Sequence, residues 1–350
     1  MLLVASLTVM SGATISPALP GIQAQFAADE NVQLLSRLVL TIPALTVAIC
    51  APLMGGLSDR FGRRTLLLGS IVLYGIAGTS GMYLDSLHGL LIGRGLLGIG
   101  VAGSMTITTA LVGDYFPGNE RDRFMGVRTA FMGFGGMVFL TLGGLFANFD
   151  WHYAFLVYGL AFLFLPLAVI FLPEPERHAH GHGPGGRGAH GAGGAHPADT
   201  KWKLPIAALI VVAVINSIAF YLIPTQLPFH LIEIGIEEPS MSGIAIGLFT
   251  LTIALASLAY GRLRGRIGIS GLFAAGFVLM AIGLAMVALT DSYAVISLSL
   301  AICGVGMGLV MPNLTAGGIM LAPPHLRGRI AGSVTAGIFI GQFFLGLFLF

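Results

Sequence analysis

The chain is written in long apolar blocks separated by short polar ones. A helix needs about 20 mostly apolar residues to cross bilayer hydrocarbon. Eleven blocks meet that length, at about 2–25, 34–56, 65–84, 88–112, 125–147, 152–172, 204–232, 242–260, 270–290, 293–316 and 329–350. The blocks are long and unbroken, which fits helices rather than barrel strands. The pattern therefore predicts an all-α polytopic membrane protein. The first block is not a signal peptide, because it has no basic start and Pro17 and Pro20 do not resemble a cleavage site. Proline and glycine inside spans are tolerated where neighbouring helices re-satisfy the backbone.

Composition narrows the class. Of 350 residues, 56% are hydrophobic and only 9% charged, against about 25% charged in a soluble domain. A water-soluble globule and a disordered chain are both excluded. Cys50 and Cys303 each sit in an apolar run, so a disulfide scaffold and a cysteine zinc site are excluded too. The net charge of +2 gives no reason to expect a nucleic-acid partner. Neither a metal nor a cofactor is expected.

Placing the charges gives an orientation. Fifteen of the 17 basic residues fall in alternate loops, among them Arg60, Arg63, Arg64, Arg121, Arg123, Arg128, Lys201, Lys203, Arg262, Arg264, Arg266, Arg327 and Arg329. The opposite loops carry Asp29, Glu30, Asp85, Asp150, Glu233, Glu237, Glu238 and Asp291. The basic side is the cytoplasmic one by the positive-inside rule. The reading is a multi-pass protein of the cell inner (plasma) membrane with a cytoplasmic N-terminus. Trp151 and Trp202 mark span ends. Arg37, at the mouth of the second span, and Arg94, inside the fourth, are the two basic residues left over.

The chain also repeats itself. An offset of 206 residues maps Gly55, Leu57, Arg60 and Gly62 onto Gly261, Leu263, Arg266 and Gly268. The same offset maps Gly98 and Gly100 onto Gly304 and Gly306, and Pro117, Arg121 and Arg123 onto Pro323, Arg327 and Arg329. Arg and Pro keep register as well as Gly, so this is a parallel repeat of two helical bundles around a central cavity. Residues 1–175 form a six-helix N-terminal bundle. Residues 176–203 form a cytoplasmic linker rich in His and Gly, and residues 204–350 form a C-terminal bundle of five helices. The repeat leads one to expect a twelfth helix, which would place the chain as truncated before it.

Between the second and third spans the sequence reads Gly55-Gly56-Leu57-Ser58-Asp59-Arg60-Phe61-Gly62-Arg63-Arg64. Gly55 allows close helix contact, Gly62 a turn at positive φ, and Asp59 a cap or a pair with Arg60. The pattern G-x-x-x-D-R-x-G-R-R resembles the signature loop of the major facilitator superfamily. That resemblance implies a gate that locks the two halves together in the outward-open state, with Asp114 joining the charges of Arg60 or Arg63. In the mirror loop Gly265 stands where Asp59 would map. The fourth span carries Arg94-x-x-x-Gly98-x-Gly100, which is similar to the family's helix-four motif and implies a role for Arg94 in proton or substrate coupling. An arginine there costs several kcal/mol unless solvated or paired. Gly135, Gly143 and Gly144 retain the outer glycines of the antiporter motif, while Phe139 and Leu140 replace its central Gly-Pro. Trp151 and Phe155 resemble the opening of the sixth helix in the twelve-helix drug-efflux branch.

The resemblance implies a cavity lined by the first, fourth, seventh and tenth spans. Its polar candidates are Thr14, Asn216, Tyr221, Gln226 and Asn313, few enough to suggest a mainly apolar chamber. Pro17, Pro20, Pro224 and Pro228 supply bends. Five linker histidines, His178, His180, His182, His190 and His196, read as part of a flexible tether rather than a metal site. The sequence holds no ATP-binding P-loop and no H-E-x-x-H or G-x-S-x-G pattern, so neither an ATP-driven pump nor an enzyme is indicated. The expected activity is secondary transport of a small amphipathic or hydrophobic solute by a monomer in the lipid bilayer, outward and in exchange for protons as the resemblance implies. An uptake carrier or uniporter for a small metabolite is one alternative, and a non-transporting receptor is another. No acid falls in mid-membrane, so the proton candidates are terminal: Asp114, Asp29, Glu30, Glu233 and His230.

Overall fold

The computed structural model describes residues 1–116, 118–172, 203–321 and 327–348. Within them the side chains of Asp59, Arg121, Asp122, Arg123, Arg327 and Arg329, among others, lie outside the description. The linker, with Trp202 and its five histidines, and Pro117 and Pro323 also lie outside the described residues.

Every regular element among the described residues is helical. In chain order the spans are α1 (Leu2–Gln25), α2 (Val32–Phe61), α3 (Arg63–Thr79), α4 (Leu87–Tyr115), α5 (Gly118–Ala147), α6 (Trp151–Phe171) and α7 (Lys203–Glu233). A 50-residue run, Pro239–Ala288, follows, and Gly268 leaves helical geometry inside it. It thus holds two spans, α8 (239–267) and α9 (269–288). Then come α10 (Tyr293–Leu321) and α11 (Arg327–Phe348). Among the described residues nine helical runs are long and apolar enough to cross a membrane, the 50-residue run counted as one, and α11 carries a shorter apolar stretch, Gly332–Leu347. Multi-pass insertion follows.

Helix irregularities have local causes. In α1 the helix stops at Ala13 and a 3₁₀ turn, Ser16–Ala18, contains Pro17. Proline fixes φ and lacks the N–H that would continue the ladder. By contrast α7 keeps one helix through Pro224 and Pro228. The opening of α6, Trp151–Gly159, is 3₁₀ and is capped by Asp150, which accepts the His152 N–H at 2.9 Å.

The expected loops between spans two and three and between spans eight and nine are sharper than the sequence suggested. Each reduces to one glycine: Gly62 at φ 91° and Gly268 at φ 68°. Arg262, Arg264 and Arg266 therefore belong to the end of α8 rather than to a loop. A positive φ costs glycine little, so each break reverses the chain at one residue. These two positions are the ones the 206-residue offset relates.

The offset relates contacts as well. A β-carbon on Gly98 would lie 2.6 Å from the Pro43 carbonyl, and one on Gly304 would lie 2.6 Å from the Phe249 carbonyl. Gly100 packs against the backbone of Ser70 and Tyr74 in the same way that Gly306 packs against Gly276 and Met280. Each pair differs by 206. Lipid tails are as apolar as the helices, so close packing of small residues holds such bundles together. The glycines let α4 seat against α2 and α3, and α10 against α8 and α9.

Candidate functional site

The signature turn sits at the Arg-rich end of the first bundle. Gly62 makes the turn itself. Arg63 pairs with Asp114 of α4 and also donates to the Ala110 carbonyl at 3.3 Å. Arg64 donates to the Val169 carbonyl of α6 at 2.6 Å. Arg60 lies over the Phe61 ring at 5.5 Å, and Gly55 leaves room beside Thr106 of α4. The turn is therefore tied to α4 and α6 of its own bundle. The Asp59 side chain lies outside the described residues.

Arg94 is 1% exposed, so it does not snorkel to the surface. Its Nε donates to the Val39 carbonyl of α2 at 3.0 Å, and its Nη2 donates to the Ser11 carbonyl of α1. Both carbonyls have a reason to be vacant. Pro43 has no N–H, so Val39 four residues earlier lacks its helical donor. Ser11 lies in the last turn before α1 ends, where carbonyls are orphaned and the helix dipole favours a cation. The guanidinium carbon stands 5.1 Å from the Tyr158 ring centroid, a cation–π distance. No carboxylate among the described residues pairs with Arg94.

Other prolines follow the same logic. Pro228 vacates the Pro224 carbonyl, which accepts from Ser16 of α1. Pro312 vacates the Gly308 carbonyl, which accepts from Ser257 of α8 at 3.0 Å. At Pro43, Pro228 and Pro312 the vacated carbonyl is thus answered by a side chain from a different helix.

The Ser16 bond crosses between the bundles, and it belongs to a seam. The Tyr221 hydroxyl of α7 lies against Gly12 of α1. Along α5 and α8 the backbones touch: a β-carbon on Gly144 would lie 2.9 Å from the Pro239 carbonyl, and one on Gly243 would lie 2.6 Å from the Leu140 carbonyl. The Asn148 side chain accepts the Ser240 N–H at 2.8 Å. Gly346 of α11 packs against Thr41 of α2. All these residues lie toward the Arg-poor end, where the two bundles are closed upon each other.

The five candidate cavity residues take different places among the described residues. Asn313 is fully buried, accepting from the Tyr260 hydroxyl at 3.0 Å and donating to the Ile269 carbonyl at 2.8 Å. It ties α8, α9 and α10 together. Asn216 is fully buried without a hydrogen-bond partner among the described residues, and so is the Thr14 hydroxyl. Tyr221 belongs to the seam. Gln226 lines a cavity of about 350 Å³ between α7, α9 and α10, with His230 and Glu233 at its polar end.

Comparison with known proteins decides the family. Residues 1–346 match the family model described as Major Facilitator Superfamily. The chain belongs to the Major Facilitator Superfamily. Among curated superfamily relatives, the niacin transporter of Acinetobacter baylyi is 31% identical over 39% of this chain and 31% of its own length. The bacillibactin exporter of Bacillus subtilis is 25% identical over 80% of this chain and 71% of its own. The class C tetracycline resistance protein of Escherichia coli is 33% identical over 41% and 36% respectively. The match thus spans only about a third of the niacin transporter and of the tetracycline resistance protein. Among solved structures, a D-xylose–proton symporter superposes with a TM-score of 0.75 at 17% identity, covering 99% of this chain and 88% of that one. A bacterial homologue of the lysosomal transporter Spinster, described as inward-facing and occupied, gives 0.75 at 16%, with 99% and 80% covered. These two show the shared fold.

One buried residue of this superfamily member escaped the sequence reading. Arg128 reads as a loop cation, yet it sits in α5, 6% exposed, donating to the Thr109 hydroxyl of α4 at 3.1 Å. Arg94 and Arg128 are thus both buried cations. The available signal was position, because Arg128 already falls inside the apolar stretch that begins at Val127.

Two expected results follow from this geometry. Ser16→Ala leaves the Pro224 carbonyl without its donor, which costs about 1–3 kcal/mol at a buried acceptor and falls on the closed seam. Labels on the two bundles at the Arg-poor end should then report a larger open population. At the same end, the His152 backbone N–H holds the Asp150 carboxyl below the usual carboxylate range; burial opposes it, and the His152 ring lowers it further. A depressed carboxyl stabilises at neutral pH, and that stabilisation is lost as pH falls through its folded-state pKa. Thermal stability should therefore decline in acid by a small amount that Asp150→Ala abolishes, since the group is largely exposed.

Proposed function

We propose that this chain is the membrane core of a secondary carrier, working as a monomer, that exports small amphipathic or hydrophobic solutes by alternating access. The observation that supports this most is the seam. Two repeated bundles meet at one end through glycines set against backbone and a few side-chain hydrogen bonds, and such a junction can part and re-form. The name of the bacillibactin exporter supports outward transport. The Arg-rich end is assigned to the cytoplasm of a plasma membrane by the positive-inside rule, with the N-terminus on that side. The closed end then faces outward, and the chain rests in an inward-facing state.

Proton exchange is the coupling assigned to this carrier. The sequence places no acid in mid-membrane, so the proton sites proposed are terminal: Asp114, His230 and Glu233. The name of the niacin transporter supports a second reading, a carrier for a small metabolite. Reconstituted vesicles test all three points. Protein-dependent, saturable efflux of an amphipathic dye that accelerates under an imposed pH gradient is the expected result. Absence of protein-dependent flux overturns the carrier reading. Flux indifferent to the gradient overturns proton exchange alone, and niacin counterflow without dye flux favours the second reading.

A further inference from the structure

Charge within the spans has one sign. Arg37 lies on α2 toward the Arg-poor end, with its guanidinium 5.9 Å from the Phe229 ring of α7. Arg94 lies deep in α4 and Arg128 at the Arg-rich edge of the apolar part of α5. Within α7 to α11 the Asp, Glu, Lys, Arg and His residues fall at helix ends: Lys203, His230, Glu233, Arg262, Arg264, Arg266, Arg327 and Arg329. Each Asp and Glu of the sequence also falls in a loop or at a span end. Among the described residues, neither Arg94 nor Arg128 belongs to an ion pair. The Nε of Arg128 and the Nη1 of Arg94 are buried without hydrogen-bond partners there.

We propose that the solute path selects amphipathic anions, an apolar body bearing a carboxylate, sulfonate or phosphate, over neutral and cationic analogues. This inference rests on the carrier reading and names its substrate class. Cations in a low-dielectric bundle, with no buried acid among the described residues to cancel them, set up a positive potential that neighbouring solvent screens poorly. Arg94 contributes by its field, since two of its donors are held by the Val39 and Ser11 carbonyls. Arg128 stands beside the exposed Thr109 side chain, where α4 and α5 reach the Arg-rich mouth. There the Thr109 hydroxyl accepts from Arg128 and donates to the Met105 carbonyl, so the donor left for an entering anion is the guanidinium, whose Nε has no partner among the described residues. The apolar part of the solute meets a path with few polar groups.

Three permanently charged or neutral probes of one ring system test this: naphthalene-2-sulfonate, naphthalene-2-sulfonamide and trimethyl(naphthylmethyl)ammonium. Protein-dependent flux of each is measured in the same vesicles. The anion should exceed the neutral probe by roughly tenfold and the cation by more, in line with electrostatic steering effects. Arg128→Gln should reduce that preference at least threefold, and Arg128→Lys should retain it. Protein-dependent flux with no charge preference, or with cation preference, overturns the anion inference and leaves the carrier standing. An unchanged preference in Arg128→Gln overturns the role of Arg128. Absence of flux for all three probes, and for the dye, overturns the carrier reading on which the inference rests.

Discussion

Gly243→Leu should pull the seam apart and reduce transport at least tenfold. A β-carbon at Gly243 would lie 2.6 Å from the Leu140 carbonyl and 3.0 Å from the Gly144 α-carbon. Both are backbone atoms, so no rotamer change relieves the clash and α5 and α8 must separate. Overpacking of this kind costs about 1–3 kcal/mol, and about 1.4 kcal/mol already shifts an equilibrium tenfold. The penalty applies only while the Arg-poor end is closed. The variant should therefore insert and fold, yet populate the state opened at that end. Spin labels at Phe149 and Glu237, one on each bundle, should report a longer distance. Gly265→Leu is the control, because nothing lies within 4 Å of a β-carbon there. An unchanged distance in Gly243→Leu contradicts the seam as described.

Arg94→Leu should destabilise the first bundle, through two carbonyls rather than through a lost salt bridge. It strands the Val39 and Ser11 carbonyls, each worth about 1–3 kcal/mol when buried and unsatisfied. Relief of the buried charge offsets part of this, leaving a net loss of about 2 kcal/mol. Arg94→Lys should rescue little, since an ammonium lacks the planar fork that reaches both acceptors. Pro43→Ala supplies the cleanest test. Alanine restores an N–H to the Val39 carbonyl within α2, so the double variant should recover about 1 kcal/mol relative to additivity. Thermal unfolding in detergent measures all four proteins. Strict additivity would show that Arg94 does not serve the proline defect.

These two sites show what the sequence made legible. Spans, repeat offset and the turn glycines were readable because bilayer thickness and positive φ leave few alternatives. Gly62 and Gly268 were paired by offset alone. Arg94 was visible as an anomaly, but its partners were not, although Pro43 points to Val39 by the simple four-residue rule. Arg128 was read as a loop cation because it follows Arg121 and Arg123, although it already falls inside the apolar stretch from Val127. For Asn313 and Tyr221, polarity in a span does not say which way a side chain faces. Asn313 joins three helices of its own bundle, and Tyr221 closes the seam.

The central claim is that the Arg-poor seam must open for transport. Asn148 and Ser240 face each other across it, joined by a 2.8 Å hydrogen bond. Cysteines placed at both positions, with Cys50 and Cys303 replaced by alanine, should form a cross-link that clamps the two bundles. Flux in reconstituted vesicles should stop on oxidation and return on reduction. Full-rate flux through the cross-linked protein would contradict alternating access at this seam.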